Sequence, residues 1–265
     1  EFEQPVAEPT PSVESGQPAE LPAAAAAAPV APARFVVPTP PQVPATYEVA
    51  ATAHTPVLPG REPVAPTERG ELARFVRELV ITTVDRPPQW GCFARHEWAM
   101  VYRMRPEQVR HQSLPLRLDP RETDAVVEAA PLVCTHFDAY RFFTEPARPL
   151  NTRTLTRDAV MHHEQPGCLH AGMDLYTWAM KLAPGIPSEL ALDCFELAMR
   201  LRALDMRASP YDLRNLGIEP IAVETPEGKA TYAGEQRRYA ARGQALRMRL
   251  LSACASALAE RASID

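Results

Sequence analysis

The chain has 265 residues, with 28 Lys and Arg against 33 Asp and Glu, for a formal net charge of −5 at pH 7. No run of about 18 apolar residues occurs, which argues against a membrane-spanning helix and a membrane partner. No G-x-G-x-x-G or Walker loop is present, so nucleotide binding has no motif support.

Residues 1–67 repeat Pro, Ala, Val and Thr, with an alanine run from Ala23 to Ala28, and carry neither a helical nor a strand period. Proline removes amide donors and disfavours helix at the preceding residue. Such a segment buries too little apolar surface to offset its chain entropy, and it is expected to be a disordered, partly polyproline-like leader. The first 68 residues hold eight acidic and two basic side chains, so the leader supplies the acidity and the remainder is close to neutral. That balance neither favours nor excludes nucleic acid. The leader lacks the basic start and apolar core of a secretory signal. The chain begins Glu-Phe rather than Met, which leaves a fragment of a longer protein open. Five cysteines (Cys92, Cys134, Cys168, Cys194, Cys254) read as reduced thiols in a cytoplasmic protein.

Residues 68–265 read as a single folded domain, mainly α with a small β element (α+β). Thr67 or Glu68 opens a helix in which Leu72, Phe75, Val76, Leu79 and Val80 recur at helical spacing, and Asp85-Arg86-Pro87-Pro88 stops it. Trp90 to Tyr102 predicts a short aromatic-rich helix. Leu114–Leu118 and Asp124–Glu128, separated by Asp119-Pro120, predict two short strands, and Leu132–His136 a third. A loop with Pro146, Pro149 and Asn151 follows the aromatic run Phe137–Phe143. Helices are then expected over Gly167–Leu182, from Pro187 to about Asp205, and from Thr225 to about Ala262, with Pro184-Gly185 breaking the first two apart.

Three segments each join a thiol, an imidazole and a carboxylate: Cys92 with His96 and Glu97, Cys134 with His136 and Asp138, Cys168 with His170 and Asp174. On helices, Cys92/His96 and His170/Asp174 are i,i+4 pairs on one face. Two chemistries suit such groups. Cys and His, with carboxylates in support, bind zinc or iron, and His96, His136, His170 and Cys168 are the candidate ligands. Alternatively a carboxylate holds a histidine that acts as a general base, with His170 and Asp174 as the central pair and Glu97 and Asp138 in support. Met161-His162-His163-Glu164 offers further ligands. Against both stands the ordinary role of buried cysteine as an inert core residue, and the spacings match neither C-x-x-C nor H-E-x-x-H. The segment Asp205–Asp212 reads either as a substrate loop, with Arg207 as an anion contact, Asp205 or Asp212 as base and Tyr211 as a further contact, or as a helix-ending turn held by Arg–Asp hydrogen bonds. Arg141, set among aromatics, is a further substrate-binding candidate.

These stretches resemble a known family. Gly91-Cys92-Phe93 with His96–Arg103 (HEWAMVYR), Cys134–Phe143 (CTHFDAYRFF), Gln165–Ala171 (QPGCLHA), Met173–Tyr176, Leu204–Leu213 (LDMRASPYDL) and Glu224–Gly228 are similar to an actinobacterial family commonly labelled 3-methyladenine DNA glycosylase. The similarity runs from about Phe75 into the terminal helix. It implies hydrolysis of an N-glycosidic bond to an altered base in alkylated DNA, with a carboxylate activating water or stabilising the positive sugar, and aromatic and Arg groups holding a flipped base. Leu182–Pro187 lacks the lysine and the glycine-rich character of a helix-hairpin-helix glycosylase. Where the relatives carry an aromatic-rich N-terminal region, this chain has its Pro/Ala leader. The residues alone equally allow a metal- or thiol-dependent enzyme acting on a small molecule, or a non-enzymatic interaction domain tethered by the leader.

Overall fold

The computed structural model describes residues 66–262; the disordered leader expected over residues 1–67 lies almost wholly outside them. Helix α1 (Pro66–Val84) starts on a proline, whose fixed φ suits the first helical turn. It buries Ala73, Val76, Leu79, Val80 and Thr83, a stripe at helical spacing, while Phe75 stays at its edge. The chain then turns through Phe93 and Ala94, both with positive φ, into the short α2 (Arg95–Ala99).

Two side chains fix α2 in place. The Arg95 guanidinium is buried and donates to the carbonyls of Val126, Val127, Ala130 and Pro131. It thus caps the C-terminal end of α3 (Pro120–Glu128), where a cation is favoured. The fully buried Trp98 donates its indole N–H to the Ala208 carbonyl, 2.9 Å away, at the end of α7 (Ser188–Ala208).

The small β element is not present among the described residues. Asp124–Glu128 belongs to α3, because Asp119 and Glu122 form a reciprocal capping box with Pro120 at the first turn. That start signal overrides the strand preference of Val126 and Val127. The other two expected strands reduce to isolated bridges, Leu116 with Tyr211 and Leu132 with Asn151. Leu132–His136 is extended, but a side chain holds it: Asn151 accepts from the Cys134 N–H at 2.8 Å and donates to the Cys134 carbonyl at 3.1 Å.

Helix α4 (Phe137–Tyr140) follows His136 directly, and α5 (Val160–His163) precedes the turn that carries Glu164. The long helices α6 (Leu169–Leu182), α7 and α8 (Pro226–Ala262) then pack together with α1 as the core. A Cβ at Gly172 would lie 2.5 Å from Leu201 Cδ1, so α6 and α7 approach closely there. On α7 the buried stripe runs Leu190, Cys194, Leu197, Leu201, Leu204, Asp205, Ala208. An acid therefore occupies an apolar stripe. No helix among the described residues is long and apolar enough to cross a membrane.

Candidate functional site

The turns at the ends of α2, α4 and α6 meet beside the middle of the bundle, and they bring His96, His136 and His170 together. His170 stands in the centre. Its ring lies edge-on to His96, with centroids 4.7 Å apart, and stacks on His136 at 5.2 Å with planes 27° apart. His96 and His136 are buried, and His170 retains partial exposure.

Each outer histidine has its own carboxylates. His96 Nε2 lies 3.1 Å from Asp205 Oδ1 and 3.9 Å from Glu97 Oε1. The contact with Asp205 is close, but its angles do not make a hydrogen bond, and neither atom finds a hydrogen-bond partner among the described residues. Arg202 reaches in from the surface to Glu97 at 3.3 Å and Asp205 at 3.2 Å. Cys92 precedes α2 rather than lying on it, yet its Sγ is 3.4 Å from His96 Nδ1. On the other side, His136 Nε2 is 2.9 Å from Asp174 Oδ2 and 3.5 Å from Glu164 Oε1.

Two sets of potential ligands result, His96/His170/Asp205 and His136/Glu164/Asp174, each with its donor atoms within 4.8 Å of one another. The expected pairing of His170 with Asp174 gives way to a crossed arrangement. Both stand on one face of α6, but Asp174 bonds His136 and His170 faces His96. Spacing along one helix shows which residues share a face; it cannot show which element comes to meet them.

Burial and charge set the protonation of these groups. Burial opposes charge on His96, but Asp205 and the Cys92 sulfur outweigh it and hold the pKa well above its ordinary value. Asp205 is likewise held below the usual carboxylate range, since His96 overcomes its burial. Desolvation and the neighbouring His96 push His170 well down. Burial also pushes Glu97 up to about 7, with Asp205 adding to it, and Glu164 up to about 7. Desolvation raises Cys168 to about 12 and Cys134 well above its normal value, so neither is a ready thiolate.

Two hollows flank the cluster. A cleft of about 480 Å³ reaches His136, Glu164 and Asp174 and is walled by Phe75, Phe137 and Trp178. Arg157 and Asp138 stand at its side, with Arg157 over the Phe137 ring. Behind the histidines, a cavity of about 20 Å³ touches His96, His170, Cys92, Cys134 and Cys168. That is room for about one water.

Asp138 and Cys168 border the two hollows, and the remaining candidates stand apart from this centre. Asp138 is half-exposed and paired with Arg141, itself exposed and set over Phe142. Arg207 donates to the Glu219 carbonyl, Asp212 is paired with Arg214, and Tyr211 is buried in a second small apolar cluster with Val101, Val109 and Leu213. Cys168 immediately precedes α6 and belongs to neither ligand set. All five cysteines are unpaired. Two members of the centre have weak signals in the sequence: Glu164, within a His-His-Glu run, and Asp205, the acid on the apolar stripe of α7. Comparison with protein-family models, curated proteins and solved structures finds no match for this chain.

Proposed function

We propose that the chain is a metal-dependent hydrolase, acting through an ion held by the His/carboxylate cluster on an N-glycosidic bond to an altered base. One observation carries the metal: three histidines from three separate segments converge with Asp205, Glu164 and Asp174 in a largely buried site. Imidazole with carboxylate suits zinc, iron or manganese. Such an ion supplies Lewis-acid polarisation and a water acidified towards neutral pH. The choice of bond rests on the resemblance of the His96, His136 and His170 segments to the glycosylase-labelled family. The cleft supports it, because Phe75, Phe137 and Trp178 offer apolar faces to a flat ring and Arg157 offers a cation. Asp174, 25% exposed in the cleft wall, would face positive charge growing on a sugar bound there.

A second reading keeps the bond and drops the ion: the His136–Asp174 pair, hydrogen-bonded at 2.9 Å, serves as general base to an attacking water. One experiment separates them. Metal content is measured on the purified protein and on His170→Ala, and base release from alkylated DNA is followed with and without chelator. Bound metal, diminished in the folded variant, with base release abolished by chelator is the expected result. Base release indifferent to chelator transfers the case to the metal-free reading. Bound metal without any base release discards the glycosidic bond and points to a small-molecule substrate.

A further inference from the structure

We infer that the centre is built for two divalent cations side by side, one in His96/His170/Asp205 and the other in His136/Glu164/Asp174. The inference rests on the metal-dependent reading above and goes beyond it in number and arrangement.

The first support is geometric. The six side chains fall into two separate sets of mutually close donors rather than one, and no residue is shared between them. His136 and His170, one from each set, stack with centroids 5.2 Å apart and planes 27° apart, so the two sets are adjacent. Helix α6 contributes to both sets, His170 to one and Asp174 to the other.

The second support is charge. Four carboxylates, Glu97, Asp205, Glu164 and Asp174, crowd this small volume, and Arg202, half in solvent, reaches only Glu97 and Asp205. Metal ligation requires neutral histidines and ionised carboxylates, and in that state two divalent ions match the four carboxylates.

The third is an unmet need. His96 Nε2 and Asp205 Oδ1 are fully enclosed, 3.1 Å apart, and lack hydrogen-bond partners among the described residues. Buried polar atoms are ordinarily satisfied, and an ion between these two satisfies both. Paired ions of this kind act together as a clamp on attacking and leaving atoms.

The test uses the full chain, stripped with chelator and reloaded with Mn²⁺ alone. Metal per chain is counted by mass spectrometry, and electron paramagnetic resonance reports whether the spins couple. Two Mn²⁺ per chain with a coupled spectrum is expected. Asp205→Asn and Asp174→Asn should each retain one ion, with the spectrum of an isolated Mn²⁺. Circular dichroism confirms folding, and the partly exposed Asp174→Asn carries the comparison should Asp205→Asn fold poorly. One ion in the native chain overturns the paired centre and leaves the metal-dependent hydrolase standing. Loss of both ions in Asp174→Asn shows one shared site and overturns it as well. No binding of Mn²⁺, Zn²⁺ or Fe²⁺ overturns both readings.

Discussion

Arg95 shows how strongly single residues tie this centre to the fold. Its guanidinium satisfies four backbone carbonyls around the end of α3 while its neighbour His96 enters the site. Arg95→Ala leaves those carbonyls under-satisfied and should cost about 3 kcal/mol in urea unfolding. Arg95→Lys should recover only part of this, because an ammonium cannot reproduce the planar fork. Glu224 gives a pH signature away from the site. Burial opposes its ionisation, but two hydrogen bonds from Arg117, at 2.7 and 3.0 Å, prevail and lower its pKa. A depressed carboxylate contributes stability above its ordinary value of 4.5, and that contribution disappears as pH falls through the lowered value. The stability gap between the native chain and Glu224→Gln should therefore be full at neutral pH and close below 4.5 in acid melts. At this scale the histidines were legible, since each sits in a compact Cys/His/carboxylate segment. Their pairing with the acids was not. Asp205 lies in a segment whose polar density reads as a loop, and only its place on the α7 stripe betrays that it points inward.

Among the elements, the extended segment 132–136 depends on one amide. Asn151 bonds both backbone groups of Cys134 and donates a further hydrogen bond to the Arg153 carbonyl at 2.7 Å. Asn151→Ala should destabilise the chain by about 2–3 kcal/mol. Hydrogen exchange should show the Cys134 amide opening before α6 does, and metal affinity should fall because His136 ends this segment. The long helices could be read from sequence, because their apolar periods and proline starts act locally. The strands could not. Short runs such as Val126-Val127 suit either state, and the decision came from the capping pair Asp119 and Glu122 at α3 and from a side chain seventeen residues distant at Cys134.

For the molecule as a whole, the centre joins α2, α4, α6 and α7 to the turn after α5, so an ion bound there binds the folded state alone. Linkage then requires metal to raise the melting temperature, by about 2.7 kcal/mol of added stability at a hundred times the dissociation constant. Chelator should reverse the shift in the native chain and have a smaller effect on His170→Ala, which keeps the His136/Glu164/Asp174 set. A melting temperature unmoved by metal would remove the ion from the account. The resemblance covers this same body of the chain, but the burial that separates a reactive group from a core one becomes visible only when the helices are packed.

Helix α6 carries one further implication. Four residues separate His170 from Asp174, which places them about 6 Å apart along the axis, at a rise of about 1.5 Å per residue. The helix acts as a ruler. Side-chain substitution can weaken either end of it, but only adding or deleting a residue changes the spacing, and that would also swing one end about 100° around the axis. Single-residue insertions between His170 and Asp174 should therefore be far more damaging than any replacement within the same turn.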